Sequence, residues 1–272
     1  MMETWYYVDS NHLTPALNMA LDEALMNWHR EGKIPPVLRF YGWDPAGLSV
    51  GYFQKVHGKI DVDSVKSHGY DLVRRQTGGR AVLHDNELTY SVIVSEQHPD
   101  MPASVKEAYL VISQGLLEGF KELDIAAEFA IPEGKPDTNG SAVCFEEPSW
   151  YELIVDGKKA AGSAQTRKKG IILQHGSIPI EVDETKLFDM FIYKNERIKE
   201  RARKAFSDKA ISINNLSPVK RSYSEVKAAF QKGFEKGLNL HLEPFHLNEE
   251  QWSEVNQIAE EKYSNDKWNY SR

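Results

Sequence analysis

Between Val37 and Ile180 the apolar runs are short, and most are joined by turn-sized clusters instead of helix-length crossovers. Parallel strands need a dozen or more connecting residues, whereas antiparallel neighbours can be joined by two. The pattern predicts strands over Val37–Trp43, Leu48–Phe53, Asp71–Arg75, Leu88–Ser95, Tyr151–Val155 and Lys158–Ala164, and one or two more across Ile171–Ile180. Asp156-Gly157, between two of those runs, is a strong hairpin signal. Helices flank and interrupt this region. Thr14–Arg30 has Thr14 as N-cap, Pro15 at the first helical position and an apolar stripe from Leu17 to Trp28. Ser104–Phe120 opens on a Ser104/Glu107 capping box. After about residue 183 the pattern turns helical, with Glu184–Phe191, a charged stretch to Lys204, a Ser222/Glu225 box opening a helix to Lys236, and Asn248 capping a last helix to Tyr263. The fold class is therefore α+β with a mixed or antiparallel central sheet and flanking helices, not a doubly wound parallel sheet. We expect a main domain over residues 1–210 and a helical extension over 211–272 packed on it.

Composition excludes several classes. With 272 residues, 41% hydrophobic and 27% charged, the chain can bury a sizeable core and is neither disordered nor low-complexity. No apolar run reaches the roughly 18 residues of a spanning helix. Met1 to Asn11 lacks the charged-then-apolar pattern of a secretory signal, so a cytoplasmic location without a membrane partner is expected. The net charge of −7 argues against a generally basic nucleic-acid-binding surface. The single cysteine, Cys144, forbids an intrachain disulfide and a Cys₄ or Cys₂His₂ zinc site.

Three places can carry chemistry. In Arg74-Arg75-Gln76-Thr77-Gly78-Gly79-Arg80-Ala81-Val82-Leu83-His84-Asp85, adjacent glycines let backbone N–H groups approach a ligand, and three arginines flank them. Such donors suit a carboxylate, a phosphate or a developing oxyanion, although a hairpin turn with solvated arginines would read the same way. The spacing matches neither GxGxxG nor the Walker loop. Cys144 follows the Gly/Pro/Asn-rich segment Pro132 to Gly140. A lone cysteine is commonly a small buried hydrophobe, but a nearby ammonium favours the reactive thiolate. Lys158-Lys159 follows across the hairpin, and alternation turns one lysine inward while the other faces water. The small residues Ala160, Ala161, Gly162, Ser163 and Ala164 leave room for a ligand beside Lys159, whereas Lys158 reads as an ordinary protective edge lysine. Arg74, Lys158, Arg167, Lys168 and Lys169 are candidates for a basic rim that meets an acidic partner.

The first segment resembles the signature of lipoate–protein ligases and their octanoyltransferase relatives, and Lys159-Ala160-Ala161-Gly162-Ser163-Ala164 resembles their second signature. The likeness extends to the Asn18–Glu23 helix, to Arg39 through Gly51, and to Lys262-Tyr263 and Trp268-Asn269. ATP-dependent ligases typically carry a third glycine where this chain has Arg80, and enteric-type octanoyltransferases place their cysteine after the lysine. A cysteine before the lysine is similar to the LipM-type octanoyltransferases of Gram-positive bacteria. The resemblance implies the biotin/lipoate protein ligase catalytic fold, related to class II aminoacyl-tRNA synthetases, with residues 1–210 as its catalytic domain. It implies Cys144 as the acyl-thioester nucleophile and Lys159 as the group lowering its pKa. Substrate contacts are implied at Arg75, Thr77, Gly78, Gly79, Arg80, Ala81, His84, Gly162, Ser163 and Ala164. The implied partners are acyl carrier protein as octanoyl donor and a lipoyl-domain protein, the glycine-cleavage H protein (GcvH), as acceptor. No metal, ATP or other cofactor is expected. The alternatives are an ATP-dependent lipoate–protein ligase, an octanoyl-GcvH:E2 amidotransferase, and a catalytically idle acyl-binding protein.

Overall fold

The first strand, β1 (Glu3–Leu13), is an interior strand of the principal sheet, second from one edge, although its sequence shows little alternation. The computed structural model describes residues 2–130 and 152–272. After β1 come α1 (Pro15–Arg30), β2 (Val37–Trp43), β3 (Gly47–Val50), α2 (Val62–Ser67), β4 (Asp71–Arg74), β5 (Val82–His84), β6 (Glu87–Ser95), α3 (Val105–Glu122) and β7 (Glu128–Phe129). Beyond the undescribed residues follow β8 (Leu153–Val155), β9 (Lys158–Lys159), β10 (Gly162–Lys168), β11 (Ile171–Pro179), α4 (Glu184–Asp189), α5 (Glu196–Lys209), α6 (Ile213–Leu216), α7 (Tyr223–Leu238), β12 (Leu240–Pro244) and α8 (Glu249–Ile258). A π-helical turn (Ala259–Tyr263) and α9 (Asp266–Asn269) complete the chain.

The principal sheet is mixed, in the order β10-β11-β6-β2-β1-β12. β1 pairs in parallel with β2 and β12, and the remaining neighbours are antiparallel. Alternation along β2 and β6 divides the interior. Leu38, Phe40, Tyr90, Val92 and Val94 face α3 and α7, while Val37, Tyr41 and Ile93 face α1 and α8. A second sheet, β4-β3-β5, packs Leu48 and Val50 against Val65, Phe188 and Phe206. A third, β7-β8-β9, carries the Asp156-Gly157 hairpin. Both turn residues adopt positive φ (50° and 73°), the geometry the dipeptide predicts.

Local signals act as expected at the helix starts. Thr14 Oγ1 accepts the Leu17 N–H, Ser104 Oγ accepts that of Glu107, and the Ser222/Glu225 capping box is complete. Elements outside the sequence expectation have weak patterns. β1 carries Asp9, Ser10 and Asn11 and shifts register between Asp9 and His12, so period two is lost. β12 is a short edge strand ending in Pro244. β5 is three residues inside the glycine-rich signature. The strand expected over Leu48–Phe53 ends at Val50, because the next carbonyls turn to receive Arg74. Residues 211–272 are built into the body: α7 places Phe230 and Phe234 in the core, and β12 extends the principal sheet.

Glycines let α3 and α7 approach backbone to backbone. A Cβ at Gly233 would stand 2.2 Å from the Gly119 nitrogen, and one at Gly115 would stand 2.4 Å from the Phe234 ring. Gly233→Val should therefore destabilise the fold by about 3 kcal/mol, seen as a lowered urea midpoint at unchanged m-value.

Candidate active site

The glycine-rich turn hangs between β4 and β5, and a buried guanidinium holds it. Arg75 Nη2 donates to the carbonyls of Gly78 (2.8 Å) and Arg80 (2.7 Å). Its Nη1 donates to the Ser49 carbonyl and hydroxyl, and its Nε to Thr77 Oγ1. From outside, a Cβ at Gly51 would stand 2.0 Å from the Gly79 carbonyl oxygen, so the chain leaving β3 presses directly on the turn. Gly79 takes φ +94°, a conformation that a residue with a side chain would adopt only with strain. Ala81 is fully buried at the turn's end.

Two hydrogen-bonded chains run from this hub. Thr77 Oγ1 lies 2.6 Å from His175 Nε2, and His175 Nδ1 lies 3.5 Å from Asp22, which pairs with Arg39 at 2.7 Å. The Asp22 carboxylate can only accept, so the neutral imidazole keeps its proton on Nδ1 facing it, and Nε2 accepts from the Thr77 hydroxyl. Burial pushes the Asp22 carboxyl up, but the Arg39 guanidinium and His175 outweigh it and hold the group below its ordinary value. Burial pulls the His175 imidazole below its ordinary 6.5 against the pull of Asp22, so the ring is neutral. In the second chain Ser49 Oγ lies 2.8 Å from His84 Nε2, and His84 Nδ1 lies 3.2 Å from Glu87 Oε1. Trp43 stacks on the His84 ring at 4.0 Å. His175 is a positioning residue that motif reading passed over. The apolar β11 run around it was the available signal, because a buried histidine there needs a partner.

The second signature joins the first through the principal sheet. Ala164 pairs with His175, Ser163 with Gly176 and Gly162 with Ser177. Ser163 Oγ accepts the Tyr90 hydroxyl at 2.7 Å. Lys159 is inward and 3% exposed, and its Nζ donates to Glu152 Oε1 at 2.7 Å. Lys158 is half-buried and donates to the Ser207 carbonyl. Glu152 received no role from the sequence, yet the hairpin register supplied the signal. With Ile154 opposite Lys159, Glu152 lies diagonally across on the same face.

The expected basic rim is only partly assembled. Arg74 is fully buried: its guanidinium donates to the carbonyls of Gly51, Gln54, Trp268 and Asn269, so it is a structural clamp and not a rim residue. Arg167 donates to the carbonyls of Pro102 and Ala103. Lys168 and Lys169 are exposed beside Arg30 and Gln76. Cys144 and the 132–140 segment lie outside the described residues.

A solvent-open cleft lies between the turn's exit (Ala81, Val82, Leu83) and Ala210-Ile211-Ser212. The Ile211 N–H donates to the Lys159 carbonyl, so that wall adjoins the lysine strand. Among the described residues, one group of three metal-ligand side chains comes together, Glu3, His98 and Asp100, and none of them belongs to the turn. No helix among the described residues is long and apolar enough to cross a membrane.

A glycine turn clamped by a buried arginine, a mixed sheet and an inward lysine define a protein class, and the comparisons agree. Residues 14–235 match the lipoyl protein ligase A/B catalytic domain, and the chain belongs to that family. Its full-length relatives include octanoyltransferase LipM of Bacillus subtilis (strain 168), 56% identical with 99% of each chain covered. Octanoyltransferase LipM of Staphylococcus aureus (strain NCTC 8325 / PS 47) is 54% identical with 100% of each covered. In fold, the chain matches a bipartite lipoate protein ligase from Thermoplasma acidophilum with a TM-score of 0.81 at 24% identity, covering 99% of this chain and 97% of that one. A lipoate-protein ligase A bound with ATP matches with a TM-score of 0.78 at 24% identity, covering 99% of each. The fold is thus the lipoate-protein ligase catalytic fold.

The depressed His175 pKa has a defined sign. Its stabilisation is fully present above the unfolded value near 6.5 and is lost as pH falls, because the unfolded state takes up the proton first. Below that value the unfolding free energy should fall by up to about 1.4 kcal/mol per pH unit, a slope missing from His175→Gln in denaturant titrations.

Proposed function

We propose that the chain is an octanoyltransferase of protein lipoylation. It takes octanoyl from the thioester of acyl carrier protein and delivers it to a lysine of a lipoyl-domain protein such as GcvH. The Cys144 thiolate attacks the donor carbonyl, the carrier's sulfur leaves and takes a proton, and an S-octanoyl enzyme remains. The acceptor amine then attacks that thioester, loses a proton as the amide forms, and releases the Cys144 sulfur. Splitting the transfer lets the two partners bind in turn. The second step runs downhill, since an amide is more stable than a thioester.

The observation that carries this reading is the buried Lys159 ammonium, held by Glu152 on the family's second signature. A fixed cation of this kind stabilises a thiolate and can relay a proton between thiol and amine. The turn supports acyl chemistry too. No acceptor among the described residues takes the Gly78 or Gly79 N–H, and donors of that kind suit a developing oxyanion. The relatives' name, octanoyltransferase LipM, supports the acyl group. The cleft beside the turn weighs against a nucleotide-dependent ligase. Among the described residues it is lined by Asp85, Glu87, Glu181, Asp183 and Glu184 and by no lysine or arginine, which disfavours phosphate.

Intact mass after incubation with octanoyl carrier protein tests the reading. The wild type should gain one hydroxylamine-labile octanoyl group that Cys144→Ser lacks. Acylation from free acid and ATP, or from octanoyl-GcvH alone, would replace it with the ligase or the amidotransferase. Lys159→Ala should load roughly 10²-fold more slowly at pH 7 and recover as pH rises toward the ordinary thiol value of about 8.5.

Gly78 needs no positive φ, and a Cβ there would meet nothing within 4 Å. A bound acyl group close to the turn would account for the missing side chain. Gly78→Ala should keep its urea midpoint while KM for the octanoyl donor rises about tenfold.

A further inference from the structure

We propose that the acidic cleft beside the glycine turn binds the side-chain ammonium of the acceptor lysine, with Glu87 and Ser212 as its contacts. This rests on the acyltransferase reading and adds where the second substrate enters. Glu87 is 4% exposed, and both protons that reach its carboxylate, from His84 Nδ1 and the Thr89 hydroxyl, go to Oε1. Oε2 has no partner although it is buried. Ser212 is 2% exposed, and its Oγ is also without a partner. As the N-cap of α6, Ser212 stands where serine ordinarily caps its own helix, yet its side chain makes no capping bond. Both residues line the same cleft. A buried polar atom left unpaired costs about 1–3 kcal/mol, so two of them on one cleft point to a ligand that completes them.

The chemistry of that ligand follows from the lining. Asp85 and Asp183 share the Lys186 ammonium and Glu181 pairs with Lys220, so with Glu87 and Glu184 the lining's carboxylates still outnumber the ammonium groups beside them, which favours a cationic ligand. It is not a metal ion: among the described residues these carboxylates form no set of three close enough to share one. It is not a guanidinium, because a bidentate fork needs two free carboxylate oxygens and Glu87 offers one. Val82, Leu83, Leu187, Phe206 and Ile211 wall the cleft and suit a methylene stem. An alkylammonium has both parts, a compact charge and an apolar chain. The position fits as well, because the Ile211 N–H is bonded to the Lys159 carbonyl and Ala81 ends the glycine turn. The rim carboxylates concentrate a lysine side chain near the acyl group that the turn holds.

The test separates the half-reactions. Octanoyl loading from the carrier and discharge of the loaded enzyme to GcvH are timed individually for wild type, Glu87→Gln, Ser212→Ala and the rim variant Glu181→Lys. The ratio of discharge to loading should fall about tenfold or more for Glu87→Gln, by less for Ser212→Ala, and for Glu181→Lys as a raised KM for GcvH that added salt abolishes. Protonated n-pentylamine should compete with GcvH, whereas n-pentanol and AMP should not. Equal loss in both half-reactions, an unchanged ratio, or inhibition by AMP without inhibition by pentylamine overturns this inference alone. A wild type that does not load octanoyl overturns the acyltransferase reading with it. Should Glu87→Gln fail to fold, Glu181→Lys and the pentylamine competition decide.

Discussion

The Arg75 guanidinium is the interaction on which the site depends. Burying an arginine is favourable only when its donors are satisfied, and here they reach Ser49 on β3, Thr77 inside the turn and the carbonyls of Gly78 and Arg80. One side chain therefore fixes the conformation of the turn and ties it to the second sheet. Hydrogen bonds to a charged group contribute about 1.5–3 kcal/mol each, and lysine cannot reproduce the fork. Gly51 closes the arrangement, since nothing larger fits against the Gly79 carbonyl.

Buried charge recurs wherever the site must be rigid. Asp22 and Arg39 join α1 to the principal sheet and orient His175, which in turn receives Thr77. Lys159 and Glu152 fasten the β8–β9 hairpin around an inward ammonium. Arg74 links the β4 end to the C-terminal α9 through Asn269. Breaking any of these leaves an uncompensated buried group, so the geometry is held more tightly than the count of apolar contacts would suggest.

Signals that operate over a few residues were legible before the fold was. Thr14, Ser104, Ser222 and Asn248 cap the helices they were expected to start. Asp156-Gly157 makes its hairpin, and Lys159 rather than Lys158 turns inward. β1 and β12 were not legible, because a polar, bulged strand and a five-residue edge strand owe their pairing to neighbours far away in sequence. Arg74 misled for a related reason. An arginine beside a glycine turn reads as a ligand contact until the carbonyls of Gly51, Gln54 and Asn269 are seen around it.

The amino-acid sequence by itself determined the fold class, the helix starts, the two signatures and the inward lysine, since each depends on local geometry or on residue types at fixed spacing. Tertiary structure alone decided which flanking arginine is a clamp, that Thr77 meets His175 98 positions away, and that Glu87 and Ser212 share one cleft. Those facts depend on how sheets and helices stack, and no short-range pattern encodes where two distant buried polar groups will meet.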